Sequence, residues 1–114
     1  MYIPKSFEVA DSSTLHQLIR DHPLATLIVN TQAGLQANHI PVLLDVVDDS
    51  TSFLRGHIAK ANDIWKTTFE DQNALAIFQG VDHYISPNWY PSKKIDGEAV
   101  PTWNYLAVHV TGKI

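Results

Sequence analysis

Leu24-Ala25-Thr26-Leu27-Ile28-Val29-Asn30, followed by Gln32-Ala33-Gly34 and then by the run Gln36 to Val47, is the passage on which the fold turns. The first run is short, apolar and rich in branched side chains, as a buried strand requires. Gln32-Ala33-Gly34 offers a turn, with a glycine available for positive φ. Gln36 to Val47 reads as a second, longer strand, interrupted by Pro41. Proline cannot donate to a ladder, so Pro41 marks an edge, a bulge, or a place where something other than a strand pairs.

Upstream, Asp11-Ser12-Ser13 supplies helix-capping side chains, and Leu15, Leu18 and Ile19 follow at helical spacing. This helix is expected to stop near His22-Pro23, because proline disfavours a helical residue before it. Downstream, Asp48-Asp49-Ser50-Thr51 makes a hairpin connection to a third strand, Phe53 to Ile58. Ala61-Asn62-Asp63 caps a short helix in which Ile64, Trp65 and Phe69 share an apolar side. Asp71-Gln72-Asn73 then turns the chain into a fourth strand, Ala74 to Gln79, which Tyr84-Ile85 can extend beyond Gly80. Trp103 to Thr111 alternates, with Asn104, Leu106, Val108 and Val110 on one face and Trp103, Tyr105, Ala107 and His109 on the other. Five strands in hairpin-like succession with two short helices predict a mainly β fold, an antiparallel barrel with excursions. About twenty residues from Gly80 to Pro101 are rich in Pro, Tyr, Trp, Ser and Asn, as functional loops are.

The chain has 114 residues, enough for one domain, and 45% of them are hydrophobic. Eight Lys and Arg against twelve Asp and Glu give a formal charge of −4, which argues against a dedicated nucleic-acid binder. With no cysteine, disulfides, zinc–thiolate sites and thiol nucleophiles are excluded. No apolar run approaches the roughly 20 residues of a membrane span, and the N-terminus lacks the pattern of a signal peptide. A cytoplasmic location is the expectation.

Three constellations could carry chemistry. In Phe53-Leu54-Arg55-Gly56-His57-Ile58-Ala59-Lys60-Ala61-Asn62, a strand delivers Arg55 and His57 to one face. Gly56 lies between them, where a backbone or a ligand can approach closely. Lys60 precedes a helix N-terminus, and together these groups suit a phosphate. The competing reading is a strand end with solvated charges. In Asn38-His39-Ile40-Pro41, the backbone freed by proline could meet the hydrogen-bonding edge of a heteroaromatic ring, or the segment is a plain bulge. In Tyr84 to Ser92, together with Pro101-Thr102-Trp103-Asn104, aromatic faces suit stacking on a planar group, packing between subunits, or anchoring of their own loop. His39, His57, His83 and His109 have no metal-binding spacing, and no nucleophile elbow, Walker loop or helix-turn-helix occurs.

Several blocks then resemble one family throughout the chain. They are Ala37-Asn38-His39-Ile40-Pro41, Leu54 to Asn62, Ile85 to Ser92 with its Trp-Tyr-Pro-Ser core, and Val100-Pro101-Thr102-Trp103-Asn104-Tyr105. The sequence closely resembles the PaiB family of FMN-binding proteins, described as negative transcriptional regulators in bacteria. Members are similar to the FMN-binding split barrel. The resemblance implies a homodimer with FMN in a cleft at the subunit interface. It places the phosphate on Arg55, Gly56, His57 and Lys60, the flavin ring along His39, Ile40 and Pro41, and Trp103 and Asn104 at the pocket rim. Family chains are longer, so residues 1–114 are expected to be the N-terminal part of one split-barrel domain, without its last strand and C-terminal helices. The alternatives are a flavin-dependent oxidoreductase linked to NAD(P)H, with His39 or His57 as proton partner, a cofactor-free interaction module, and a heme-binding split barrel.

Overall fold

The computed structural model describes residues 1–48, 50–67 and 72–114. Asp49, Phe69 and Asp71, which entered the readings of the hairpin, the short helix and the following turn, lie outside these residues.

A helical turn at Lys5–Phe7 leads to helix α1 (Ser12–Asp21). The Asp11 carboxylate caps α1 by accepting from the Thr14 backbone N–H at 2.8 Å and from the hydroxyls of Thr14 and Ser13 at 2.6 and 2.7 Å. These three donors favour the charged carboxylate and hold Asp11 down at about 2, with the Thr14 hydroxyl the largest influence. The helix closes where His22 N–H donates to Leu18 carbonyl at 3.0 Å, just ahead of Pro23.

Five antiparallel strands follow: β1 (Leu24–Thr31), β2 (Gly34–Val46), β3 (Ser52–Gly56), β4 (Asn73–Ile85) and β5 (Thr102–Lys113). They form one sheet in the order β3-β2-β1-β4-β5. The protein is thus mainly β, an antiparallel sheet consistent with a split-barrel type of fold, and the sheet does not close on itself. Gly34 turns β1 into β2 at φ +102°, a conformation that favours glycine. Short helices α2 (Ile64–Thr67) and α3 (Lys93–Asp96) complete the described elements, with a helical turn at Pro87–Trp89.

Pro41 marks a change of partner. Residues Gly34 to Pro41 of β2 pair with β1, whereas Val42 to Val46 pair with β3. The Val42 N–H, one residue beyond, donates to Pro23 carbonyl at 2.9 Å. β2 therefore remains continuous through its proline, because the ladder passes from one neighbour to the other at that residue.

Two further expectations are refined. The fourth strand does not stop at Gln79. It runs to Ile85, with one extra residue accommodated between Gln79 and Asp82 while β5 advances from Ala107 to Tyr105. This bulge absorbs the Gly80 interruption, and the loop that follows begins only at Ser86. The third strand ends at Gly56, so His57 and Ile58 lie beyond it.

Strand alternation sorts the side chains onto two faces. The inner face carries Ala25, Ala76, Phe78 and Val108, all buried, and α1 packs Ile19 against them, with Leu15 and Leu18 alongside. Ile40, Val42, Leu44 and Leu54 continue this face across β2 and β3. Beyond α1 the inner face borders a hollow of about 710 Å³, lined by Leu27, Val42, Leu54, Ile64 and Val110 among others. This hollow lies against the inner face of the open sheet.

Candidate functional site

The outer face of β2 and β3 brings together three of the nine predicted site residues, His39, Pro41 and Arg55. His39 and Pro41 are exposed while Ile40 between them is buried, so Ile40 can offer a ligand on the outer face only its backbone. Leu43, Asp45, Phe53 and Arg55 continue this face, with Leu43 opposite Arg55 and Asp45 opposite Phe53 in the register. His39 is held by its neighbour on β1: its Nδ1 lies 3.1 Å from the Thr26 hydroxyl, its partner in the β1–β2 register. Because β3 pairs only from Val42 onward, no strand among the described residues lies along the other edge of Gly34 to Pro41.

Arg55 reaches diagonally across the hairpin to Asp45. Its Nη2 donates to Asp45 Oδ1 at 3.1 Å and lies 3.0 Å from Oδ2. The guanidinium side chain is 68% exposed and the carboxylate 43%. Gly56 follows, and a Cβ there would lie 3.0 Å from Val42 Cγ1, 3.1 Å from Pro41 carbonyl oxygen and 3.3 Å from Ile40 Cγ2. The close approach read from this glycine is therefore that of β2 itself.

His57 departs from the face expected of it. Since β3 ends at Gly56, alternation no longer governs His57, which lines the inner hollow together with Gly56 and Ile58, whereas Arg55 does not. Lys60 is exposed, and its backbone carbonyl accepts from Trp65 Nε1 at 3.4 Å. The connection from His57 to Asp63 is tied back to β2 by Asn62 Nδ2, which donates to Asn38 Oδ1 at 2.8 Å. Asn62 Oδ1 in turn accepts from the Ile64 N–H at the start of α2. Sequence reading quoted Asn38 and Asn62 within their blocks without seeing that they join them. Two polar side chains 24 positions apart give no local signal of pairing.

Trp103 and Asn104 occupy a different region. They pair with Tyr84 and His83 at the start of β5. Val110, where β5 reaches the hollow, is seven residues away, roughly 23 Å along a strand. Here the aromatic residues organise one another. Trp103 Nε1 donates to Asp82 Oδ1 at 2.8 Å, Tyr84 and Trp103 rings are 5.9 Å apart, and His83 stacks on Trp89 at 5.8 Å with planes 15° apart. The last contact fastens the loop after β4 onto the ribbon, as anchoring by its own aromatics requires. Among the described residues, no group of three or more His, Asp or Glu is placed to hold a metal ion. No helix among them is long and apolar enough to cross a membrane.

This outer face presents a guanidinium with donors to spare, a strand whose edge carries no further strand, and exposed ring-bearing side chains. That is the donor set of a site for an anionic, planar ligand. The family model described as "Putative FMN-binding domain" matches residues 1–114. The chain belongs to this FMN-binding family, and FMN is the cofactor the family assigns.

Among its relatives, it is 36% identical over 113 residues to protease synthase and sporulation protein PAI 2 of Bacillus subtilis, a PaiB protein, covering 99% of this chain and 52% of that protein. It is 35% identical to the uncharacterized protein YKL070W of Saccharomyces cerevisiae, covering 98% of this chain and 76% of that protein. To the uncharacterized protein AN0679 of Emericella nidulans it is 36% identical, covering 100% of this chain and 56% of that protein. The chain spans about half the length of PAI 2 and of AN0679.

The residues present fit FMN at its two ends. Arg55 can take a phosphate, and the backbone of His39 to Pro41 can meet a ring edge. When bound, FMN would supply electron-accepting chemistry that no side chain here possesses.

Proposed function

We propose that this chain carries the flavin site of a PaiB-type regulator, binding FMN along the outer face of β2 at a homodimer interface. The observation that carries the reading is the shared outer face of Arg55 and the His39–Pro41 segment, within a chain that matches an FMN-binding family from end to end. Arg55 and Lys60 neutralise the phosphate, with the Gly56 backbone next to Arg55. The His39–Ile40–Pro41 backbone hydrogen-bonds the ring edge, and the Thr26 contact fixes the His39 ring.

Trp103 and Asn104 reach the rim of the site from the partner subunit. Three features favour this arrangement. Within one chain they sit far along β5 from the Val110 end, and Tyr84, Trp89, Trp103 and Tyr105 are all at least 43% exposed. The radius of gyration, 18.2 Å, also exceeds the roughly 13 Å of a compact chain of this length, as expected when a projecting ribbon packs on a second subunit. Regulation is exerted without direct contact with DNA, consistent with the charge of −4.

The test is titration of the apo-protein with FMN, followed by flavin fluorescence, alongside light scattering for the oligomeric state. Saturable quenching that is lost when Arg55→Ala and Lys60→Ala are combined supports the site. Binding unchanged in that double variant removes it, and a monomer at saturating FMN removes the interface.

A further inference from the structure

The Asp45–Arg55 pair has a geometry that stability does not explain. An exposed ion pair of this kind contributes little to folding. Yet both carboxylate oxygens converge on a single nitrogen, Arg55 Nη2, at 3.1 and 3.0 Å. A carboxylate that claimed the guanidinium fork would use two nitrogens in parallel. Here the Nε–H and both Nη1 hydrogens are left clear of Asp45, and these are donors a phosphate can accept from. Asp45 is also the better anchored partner. It is the less exposed of the two, and it follows Leu44, whose side chain packs on the core from the opposite face.

We propose that Asp45 is a positioning residue, holding one end of the Arg55 guanidinium so that the rest of the fork is presented to the FMN phosphate. This rests on the flavin-site reading above. An arginine as exposed as Arg55 would otherwise lose rotamer freedom on binding, and Asp45 removes part of that cost beforehand. The effect belongs to the phosphate end alone, so it separates FMN from riboflavin, which has the same ring system and no phosphate.

The experiment compares FMN and riboflavin affinities by fluorescence titration for wild type, Asp45→Ala, Asp45→Asn and Arg55→Ala, with a thermal melt of each. Asp45→Ala should weaken FMN binding by roughly 3- to 10-fold, the scale of one side chain left to be ordered, with riboflavin unchanged. Asp45→Asn keeps an acceptor oxygen and should recover most of the loss. Melting temperatures should stay together. If Arg55→Ala weakens FMN but Asp45→Ala binds it as well as wild type or more tightly, Asp45 is a competitor or a bystander and the inference fails alone. If Arg55→Ala leaves FMN affinity unchanged, the flavin-site reading itself fails, and the positioning role with it. Equal losses for FMN and riboflavin would assign Asp45 to the shape of the face and overturn the proposal as well.

Discussion

Replacing Gly56 by alanine probes the joint between β3 and β2 directly. The added Cβ would lie 3.0 Å from Val42 Cγ1, 3.1 Å from the Pro41 carbonyl oxygen and 3.3 Å from Ile40 Cγ2. Ordinary contact needs a few tenths of an ångström more at each of these atoms. Val42 is β-branched and stiff at χ1, Pro41 oxygen is backbone, and Ile40 is buried, so none can yield freely. Overpacking of this kind costs about 1–3 kcal/mol. For a domain of this size that corresponds to a fall in Tm of roughly 4–12 °C, at about 4 °C per kcal/mol, where the ranges for smaller and larger domains meet.

Gly112→Ala is the matched control. It is also a strand glycine, but its Cβ would meet nothing within 4 Å, so its stability should move by no more than about 0.5 kcal/mol. Thermal and urea unfolding of the three proteins measures both effects, with an unchanged urea slope showing that the unfolded state is not responsible. If Gly56→Ala melts with wild type, the tight seat of Gly56 on β2 is wrong.

Two other outcomes follow from the fold. Phe78 is fully buried beneath α1, so Phe78→Ala should destabilise by about 3–5 kcal/mol in equilibrium unfolding, and a loss under 1 kcal/mol would mean that the inner face is not the core. Asp11 has its folded value lowered from 3.8 to about 2, so the stability it contributes is fully present above pH 4 and is lost as pH falls toward 2. Asp11→Asn should flatten that part of the stability–pH curve, and an unchanged acid limb in the variant would remove Asp11 as its source.

Much of this architecture was legible in local signals. Asp11 as cap, Pro23 as helix stop, Gly34 as turn and the alternation along β5 each depend on neighbours within a few residues, and each stands where the sequence placed it. What local reading missed depends on partners distant in sequence. Pro41 offered three meanings, and only the registers of β1 and β3 choose among them. The extension of the fourth strand to Tyr84-Ile85 was legible, but the bulge that carries β4 past Gly80 is set by its register with β5. The shared face assigned to Arg55 and His57 assumed that β3 continues to Ile58, but its pairing with β2 stops at Gly56. For the candidate site, the sequence singled out Arg55 and the His39–Pro41 segment, and the structure brings Arg55, His39 and Pro41 onto one exposed face. The sequence carried no sign of the Asn38–Asn62 tie or of Asp45 beneath Arg55, since polar pairs across a hairpin have no period.

The alternation along β2 gives the two roles of this strand separate alphabets. Ile40, Val42 and Leu44 spell the packing, while His39, Pro41, Leu43 and Asp45 spell the proposed recognition, on opposite sides of one backbone. A library built only on the second set could retune ligand preference while the first set keeps the fold intact. A single inserted residue, in contrast, would exchange the two messages and erase both.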